Sequence, residues 1–174
     1  QTRNTLGSNN LYTNFTSLSG TKNKLGYYAF FNYKEGDGFR DNSNFSSRNM
    51  YLKLVYKLSD KTEISGEITY LNYLAKQAGG LNDAMFDSDP YQSNRSRNWF
   101  AINWLLYNAK VTHEFSESTK FSFNFFGLDA TRDALGFRTN RVDQVDSFEA
   151  RDLIKGDFNN YGFESRLIHN YKLL

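Results

Sequence analysis

Phe121, Phe123 and Phe125 alternate with Ser122 and Asn124 in the stretch Thr-Lys-Phe-Ser-Phe-Asn-Phe-Phe that begins at Thr119. Successive side chains of a strand point to opposite faces, so this pattern puts three aromatic rings on one face and two polar groups on the other. The pattern has two solutions. In a sandwich the Phe face is the core; in an outer-membrane barrel it meets lipid while Ser and Asn face a wet lumen. Local pattern leaves both open.

The same alternation recurs. Leu25, Tyr27, Ala29, Phe31 and Tyr33 oppose Lys24, Gly26, Tyr28, Asn32 and Lys34. Leu52, Leu54, Tyr56 and Leu58 oppose Lys53 and Lys57, and Tyr161, Phe163, Leu167 and Tyr171 oppose Glu164, Arg166, Asn170 and Lys172. The pattern predicts about seven strands, at 9–20, 24–35, 47–58, 61–75, 101–115, 119–131 and 159–173, and poor helix signals throughout. The phase breaks near Trp104–Leu106, which predicts a bulge there or a misplaced strand start.

The connections alternate in length. Three are short and polar, at 20–23, 59–61 and 116–119; three are long, at 36–46, 76–100 and 132–158. Short turns at one end and long loops at the other is the layout of outer-membrane barrels, whereas immunoglobulin-like sandwiches space their turns more evenly. Strands of ten residues or more also exceed the globular mode of about 5 to 6 and suit a membrane strand of roughly 9 to 11. Seven strands cannot close a bacterial barrel of even number. The first residue is Gln1, with no signal-peptide pattern after it, and the last residues read as a strand. The chain is therefore expected to be a slice of a larger, all-β, antiparallel transmembrane barrel, with residues 1–174 as one partial barrel domain.

Composition narrows the function classes. There is no cysteine, so disulfide scaffolds, Cys-ligated metals and thiol nucleophiles are excluded. A net charge of +2, with cations interleaved among acids, gives no nucleic-acid stripe. Gly36–Ser43 lacks the lysine and following helix of a phosphate loop, and Asp83, Asp87 and Asp89 lack the spacing of a calcium loop. His113 and His169, the two histidines, are too dispersed for zinc and fall near the short-turn end, as interfacial residues would. Glu67, Glu114 and Glu164 read as a charged lumen wall rather than a hydrolytic pair. No metal site, catalytic residue or resident cofactor is expected, and an enzyme is not.

Residues 36–43, Gly-Asp-Gly-Phe-Arg-Asp-Asn-Ser, and the loop motif made by Gly79, Gly80, Leu81, Ala84, Phe86, Asp89, Gln92, Ser93 and Arg95 resemble the TonB-dependent outer-membrane transporters, and within them the ferric dicitrate receptors. The likeness runs from about residue 24 to about 145 and departs at Ala78, where that family has proline. The resemblance implies a 22-stranded barrel with short periplasmic turns, long extracellular loops and an N-terminal plug. Neither the plug nor the C-terminal strands would be in this chain. It implies import of a ferric chelate, ferric citrate or another siderophore, driven through TonB, and residence in the outer-membrane lipid.

It also makes loop arginines the candidate ligand contacts. Arg141 is carried over by the match, and Arg95, Arg97, Gln92 and Arg138 join it by place in long loops. Arginine offers a fixed fork of donors suited to carboxylates. Two readings stand for Arg95 and Arg97: contact with ligand, or pairing with loop acids to order the loop. Neither Arg95 nor Arg141 is expected to sit in a core. Asp83 stands where those receptors carry a basic residue, which argues for a less anionic chelate than citrate. A TonB-dependent glycan importer, a passive porin and a soluble β-sheet binding module are the alternatives.

Overall fold

The computed structural model describes residues 1–137 and 141–171. Eight strands form one antiparallel sheet in sequence order: β1 (Thr2–Leu6), β2 (Tyr12–Lys22), β3 (Leu25–Gly36), β4 (Phe45–Ser59), β5 (Thr62–Lys76), β6 (Trp99–Ser116), β7 (Thr119–Leu135) and β8 (Leu153–His169). A six-residue helix, α1 (Asp83–Ser88), lies in the second long loop. The sheet is a meander, open within this chain, with β1 and β8 at its edges.

All seven expected strands exist, with β2 starting three residues later than expected, at Tyr12, and β8 ending at His169, before Asn170 and Tyr171; two further differences stand out. β1 is an eighth: five exposed residues hydrogen-bonded only to β2, without apolar alternation to signal it. β8 begins six residues earlier than its alternation suggests, at Leu153, and Lys172 lies outside the described residues. α1 is the element that sequence periodicity missed. Its signal is a cap rather than a period: the Asn82 side chain accepts from Met85 N at 2.9 Å.

Register lines the apolar positions up across strands. Leu25, Tyr56, Ile64, Val111 and Phe123 form one row. Ala29, Leu52, Ile68, Tyr107, Gly127 and Tyr161 form another, four residues further from the short turns. Together such rows make a belt on one face. It runs on β6 from His113 to Leu105, about 26 Å of strand at about 3.3 Å per residue. Phe123 stacks on Phe163 within it, ring centroids 6.0 Å apart. Gly127 is required here, because a Cβ would overlap the hydroxyl and ring of Tyr107, which lies across its backbone.

No bulge occurs at Trp104–Leu106. The ladder β6–β7 is continuous there, and its irregularities sit beside the short turns, at Glu114/Ser116 and, on β4, at Lys57/Ser59. The phase break has another cause. Beyond Leu105 the two faces exchange polarity. The belt face becomes polar in the row Arg48, Asn72, Asn103, Thr131 and Asp157. The opposite face, polar below at Lys53, Glu67, Lys110 and Asn124, becomes apolar at Leu71, Trp104, Leu106, Leu128 and Ala130. Only two hydrophobic residues, Ala78 and Ala130, are buried among those described, so this chain has no closed core of its own.

Candidate functional site

The sequence signals for chemistry converge on the long-loop end, where three connections meet: 37–44, 77–98 and 136–152. Short turns join the same strands at the other end, so an antiparallel meander forces these three loops to one side.

The first loop is pinned to the second by two side chains. Arg40 donates to Gln92 O from Nε at 3.0 Å and from Nη2 at 2.8 Å, and to Gly79 O from Nη1 at 2.7 Å. Asn42, itself at φ 53°, donates to the carbonyls of Gln77 and Arg95. Gly79 sits at φ +79°, a left-handed conformation that favours glycine, and a Cβ there would overlap Asn94 and Arg95. The two glycine-rich motifs of the sequence are therefore one interlocked structure.

The second loop is pinned to the third. Arg95 is buried, 6 % exposed. It donates to Asn94 O at 2.6 Å, Gln144 O at 3.2 Å and Val142 O at 3.3 Å. Its guanidinium also lies 5.2 Å from the centroid of Phe137, and that of Arg151 lies 4.4 Å from the same ring. The expectation that Arg95 stays out of a core is overturned: its flat, weakly hydrated cation tolerates burial once carbonyls and an aromatic ring receive it.

Arg97 takes the pairing reading. It grips Asp146 with two bonds, Nη2 to Oδ1 at 2.7 Å and Nε to Oδ2 at 3.1 Å. Arg151 Nη2 reaches the same Oδ1 at 2.8 Å, and Phe148 N donates to it at 2.9 Å. These bonds, the one from Arg97 foremost, hold the Asp146 carboxyl well below the usual carboxylate range, although burial pushes it up. Asp146 was not singled out by sequence; nothing distinguishes it there from the loop's other acids.

Gln92 also faces inward. Its amide donates to Met85 O at 2.6 Å and to Asp89 O at 3.1 Å, closing the turn after α1. Asp83 occupies the first turn of α1, where the positive end of the helix dipole favours an acid. That accounts for the acid at 83 without a ligand. Arg141 is the outlier: its side chain is 75 % exposed and Nε lies 3.7 Å from Asp143 Oδ1. Arg95 and the Asn94 amide both bond the carbonyl of Val142, the residue next to it. Arg138 lies outside the described residues. Among the described residues no group of three or more His, Asp or Glu is arranged to hold a metal ion.

No family model and no curated protein sequence matches the chain. Among solved structures it is similar to the ferric citrate transporter FecA in its unliganded form, with a TM-score of 0.81 and 20 % sequence identity. The alignment covers 95 % of this chain and 24 % of that one, so the chain spans about a quarter of the transporter's length. At that identity the likeness is one of fold: the sheet is an all-β barrel section.

Proposed function

We propose that this chain is the early part of the barrel of a TonB-dependent outer-membrane transporter that imports an anionic ferric chelate. The observation that carries the reading is the exchange of polarity along the strands. A belt about 26 Å long on the strand spans roughly 18–21 Å along the bilayer normal at a tilt of roughly 35–45°, most of the lipid-facing band of about 25 Å in such barrels. Beyond it the outer wall turns polar where it would leave the bilayer. The FecA-like fold and the loops gathered at one end support the same orientation, with short turns periplasmic and long loops extracellular.

In this reading Arg141 contacts the chelate, with Arg138, three residues before it, on the same stretch of sequence. Arg95, Arg97 and Gln92 act behind them as positioning residues that fix the loops. The plug, the TonB contact and the remaining strands belong to parts of the transporter beyond this chain.

The test uses the full-length protein in detergent and titrates labelled ferric citrate against the parent, Arg141→Ala and Arg95→Lys. Loss of a charge-assisted bond at about 1.5–3 kcal/mol predicts binding weakened roughly ten- to a hundredfold for Arg141→Ala. Arg95→Lys, whose compact ammonium lacks the planar guanidinium that spans the bonded carbonyls and the Phe137 ring, is expected to weaken binding while loosening residues 142–144. Equal affinity in the parent and Arg141→Ala would reduce Arg141 to a solvated loop charge.

A further inference from the structure

The two histidines occupy the same arrangement twice. Thr62 Oγ1 lies 2.8 Å from His113 Nδ1, across the β5–β6 ladder, and Thr119 Oγ1 lies 2.7 Å from His169 Nδ1, across β7–β8. Each imidazole then meets the ring two residues on, edge to face: His113 with Phe115 at 4.6 Å, and His169 with Tyr171 at 4.4 Å. Both units stand on the belt face, at its short-turn rim. His113 is level with Phe121 and Leu167, and Thr119 with His169 is one row lower.

The neighbours decide what such a unit can take. The acids at this level, Glu63 and Glu114, pair with Thr112 and Lys120 in register and so point to the other face; Glu114 is bonded there by Lys120 at 3.1 Å. On the belt face His113 meets Thr62 from β5 and Phe121 from β7, and His169 meets Thr119 from β7. None of these carries charge. The turn residues Asp60, Lys61 and Glu117 flank the rim at the ends of these strands, and Lys22, at the end of β2, shares the belt face. Among the described residues Nε2 of each ring has no hydrogen-bond partner, while Nδ1 is held by a threonine.

We propose that the two Thr–His–aromatic units are binding sites for the phosphate of anionic phospholipid headgroups at the short-turn rim of the belt. This rests on the membrane reading above. A protonated imidazole donates from both nitrogens. The threonine hydroxyl accepts from Nδ1, which orients the ring and leaves Nε2–H for a phosphate oxygen. The aromatic ring seats at the level where one side is apolar and the other wet, and fixes the height of the site. The contact is charge-assisted while the ring is protonated, when both nitrogens donate.

The experiment places the full-length protein in nanodiscs of phosphatidylglycerol or of phosphatidylcholine and follows both imidazole resonances between pH 5 and 8. Phosphate contact predicts a midpoint higher in phosphatidylglycerol, by about one unit, for both rings. Thr62→Val should shrink the difference at His113 alone, and Thr119→Val that at His169 alone. Identical midpoints in the two lipids would overturn the proposal, as would an equal rise produced in detergent by inorganic phosphate, which would make it a soluble-anion site. A spin label at Phe123 in the same discs keeps the two readings apart. A lipid-exposed label with unmoved histidines fails the headgroup sites alone; a label packed in protein fails the membrane reading as well.

Discussion

Replacing Asp146 by alanine is the sharpest test of the interlocked loops. Its side chain is 5 % exposed and takes bonds from Arg97, Arg151 and the amide of Phe148. Removing it strands two guanidinium groups of unequal burial, Arg151 at 17 % and Arg97 at 29 % exposed. Breaking a fully buried ion pair costs about 3–5 kcal/mol. Water can reach Arg97, and Arg151 keeps the Phe137 ring, so the expected loss is lower, about 2–3 kcal/mol. That loss falls on the closed state of residues 141–152 rather than on the barrel, whose ladder it does not touch. At about 1.4 kcal/mol per tenfold, loop amides should exchange about 30- to 150-fold faster, while β7 and β8 keep their protection. Hydrogen exchange by mass spectrometry on the full-length protein separates the two segments. Asp146→Asn, which keeps the shape and part of the hydrogen bonding, should fall between. The pH dependence has a definite sign. A carboxyl depressed in the folded state stabilises above its unfolded value of 3.8 and loses that contribution as pH falls below it. Loop protection in the parent should therefore be flat from neutral pH to about pH 5 in this respect and collapse in stronger acid. Exchange in Asp146→Ala within threefold of the parent would refute the account, and the loops would have to be held otherwise.

The belt makes further expectations. Phe125→Arg, level with Ala109 at the middle of the belt, should impair barrel assembly by roughly 2–4 kcal/mol, read by heat-modifiable migration; Asn124→Arg, on the other face, should be tolerated. Gly127→Val must displace the Tyr107 ring and should lower the unfolding midpoint more than Gly26→Val, whose Cβ meets nothing nearer than 3.8 Å. Gly79→Ala, strained at φ +79° and driven into Asn94, should raise protease nicking within 77–98 without altering the strands. On intact cells, protease or antibody should reach both 77–98 and 136–152; reaching only the turn at Glu117 would reverse the orientation.

Strands were legible because period-two alternation over ten or more residues is a strong signal, and the short turns between them carry their own chemistry. What the alternation could not show was the exchange of faces at mid-strand. A sequence reader at Trp104-Leu105-Leu106 sees three apolar residues in a row and infers a bulge. In the sheet Leu105 closes the belt on one face while Trp104 and Leu106 open the apolar patch on the other, with no residue inserted. A continuous strand whose inside and outside trade character has the same local pattern as a broken one. β1 escaped for a different reason. Its residues Thr-Arg-Asn-Thr-Leu bury no face, and what holds it is the ladder to β2 with the Asn14 amide donating to Asn4 Oδ1 at 2.6 Å.

The loop arginines show where sequence stops. Arg95, Arg97 and Arg141 look alike in a string of letters: each is a cation in a long, polar connection. Their fates differ because a guanidinium's surroundings are set by residues some fifty positions away, which no local pattern contains. Arg97 meets Asp146 at a separation of 49 residues, and Arg95 meets Val142 at 47. The fastening of those two has a consequence for the third. A loop cation can hold an anionic ligand well only if the loop does not pay conformational entropy each time it binds. With Arg95 fastened to the carbonyls of Val142 and Gln144, and Arg97 fastened to Asp146, the segment bearing Arg141 is ordered beforehand. Under the proposed function, Arg95 and Arg97 would contribute to affinity by fastening the segment that carries Arg141. Arg97→Ala should therefore weaken chelate binding even though its guanidinium is turned to Asp146, and the loss should vanish in a background where Arg141 is already alanine. Additive losses in that double-mutant cycle would mean that Arg97 and Arg141 act independently, and the positioning role would fall.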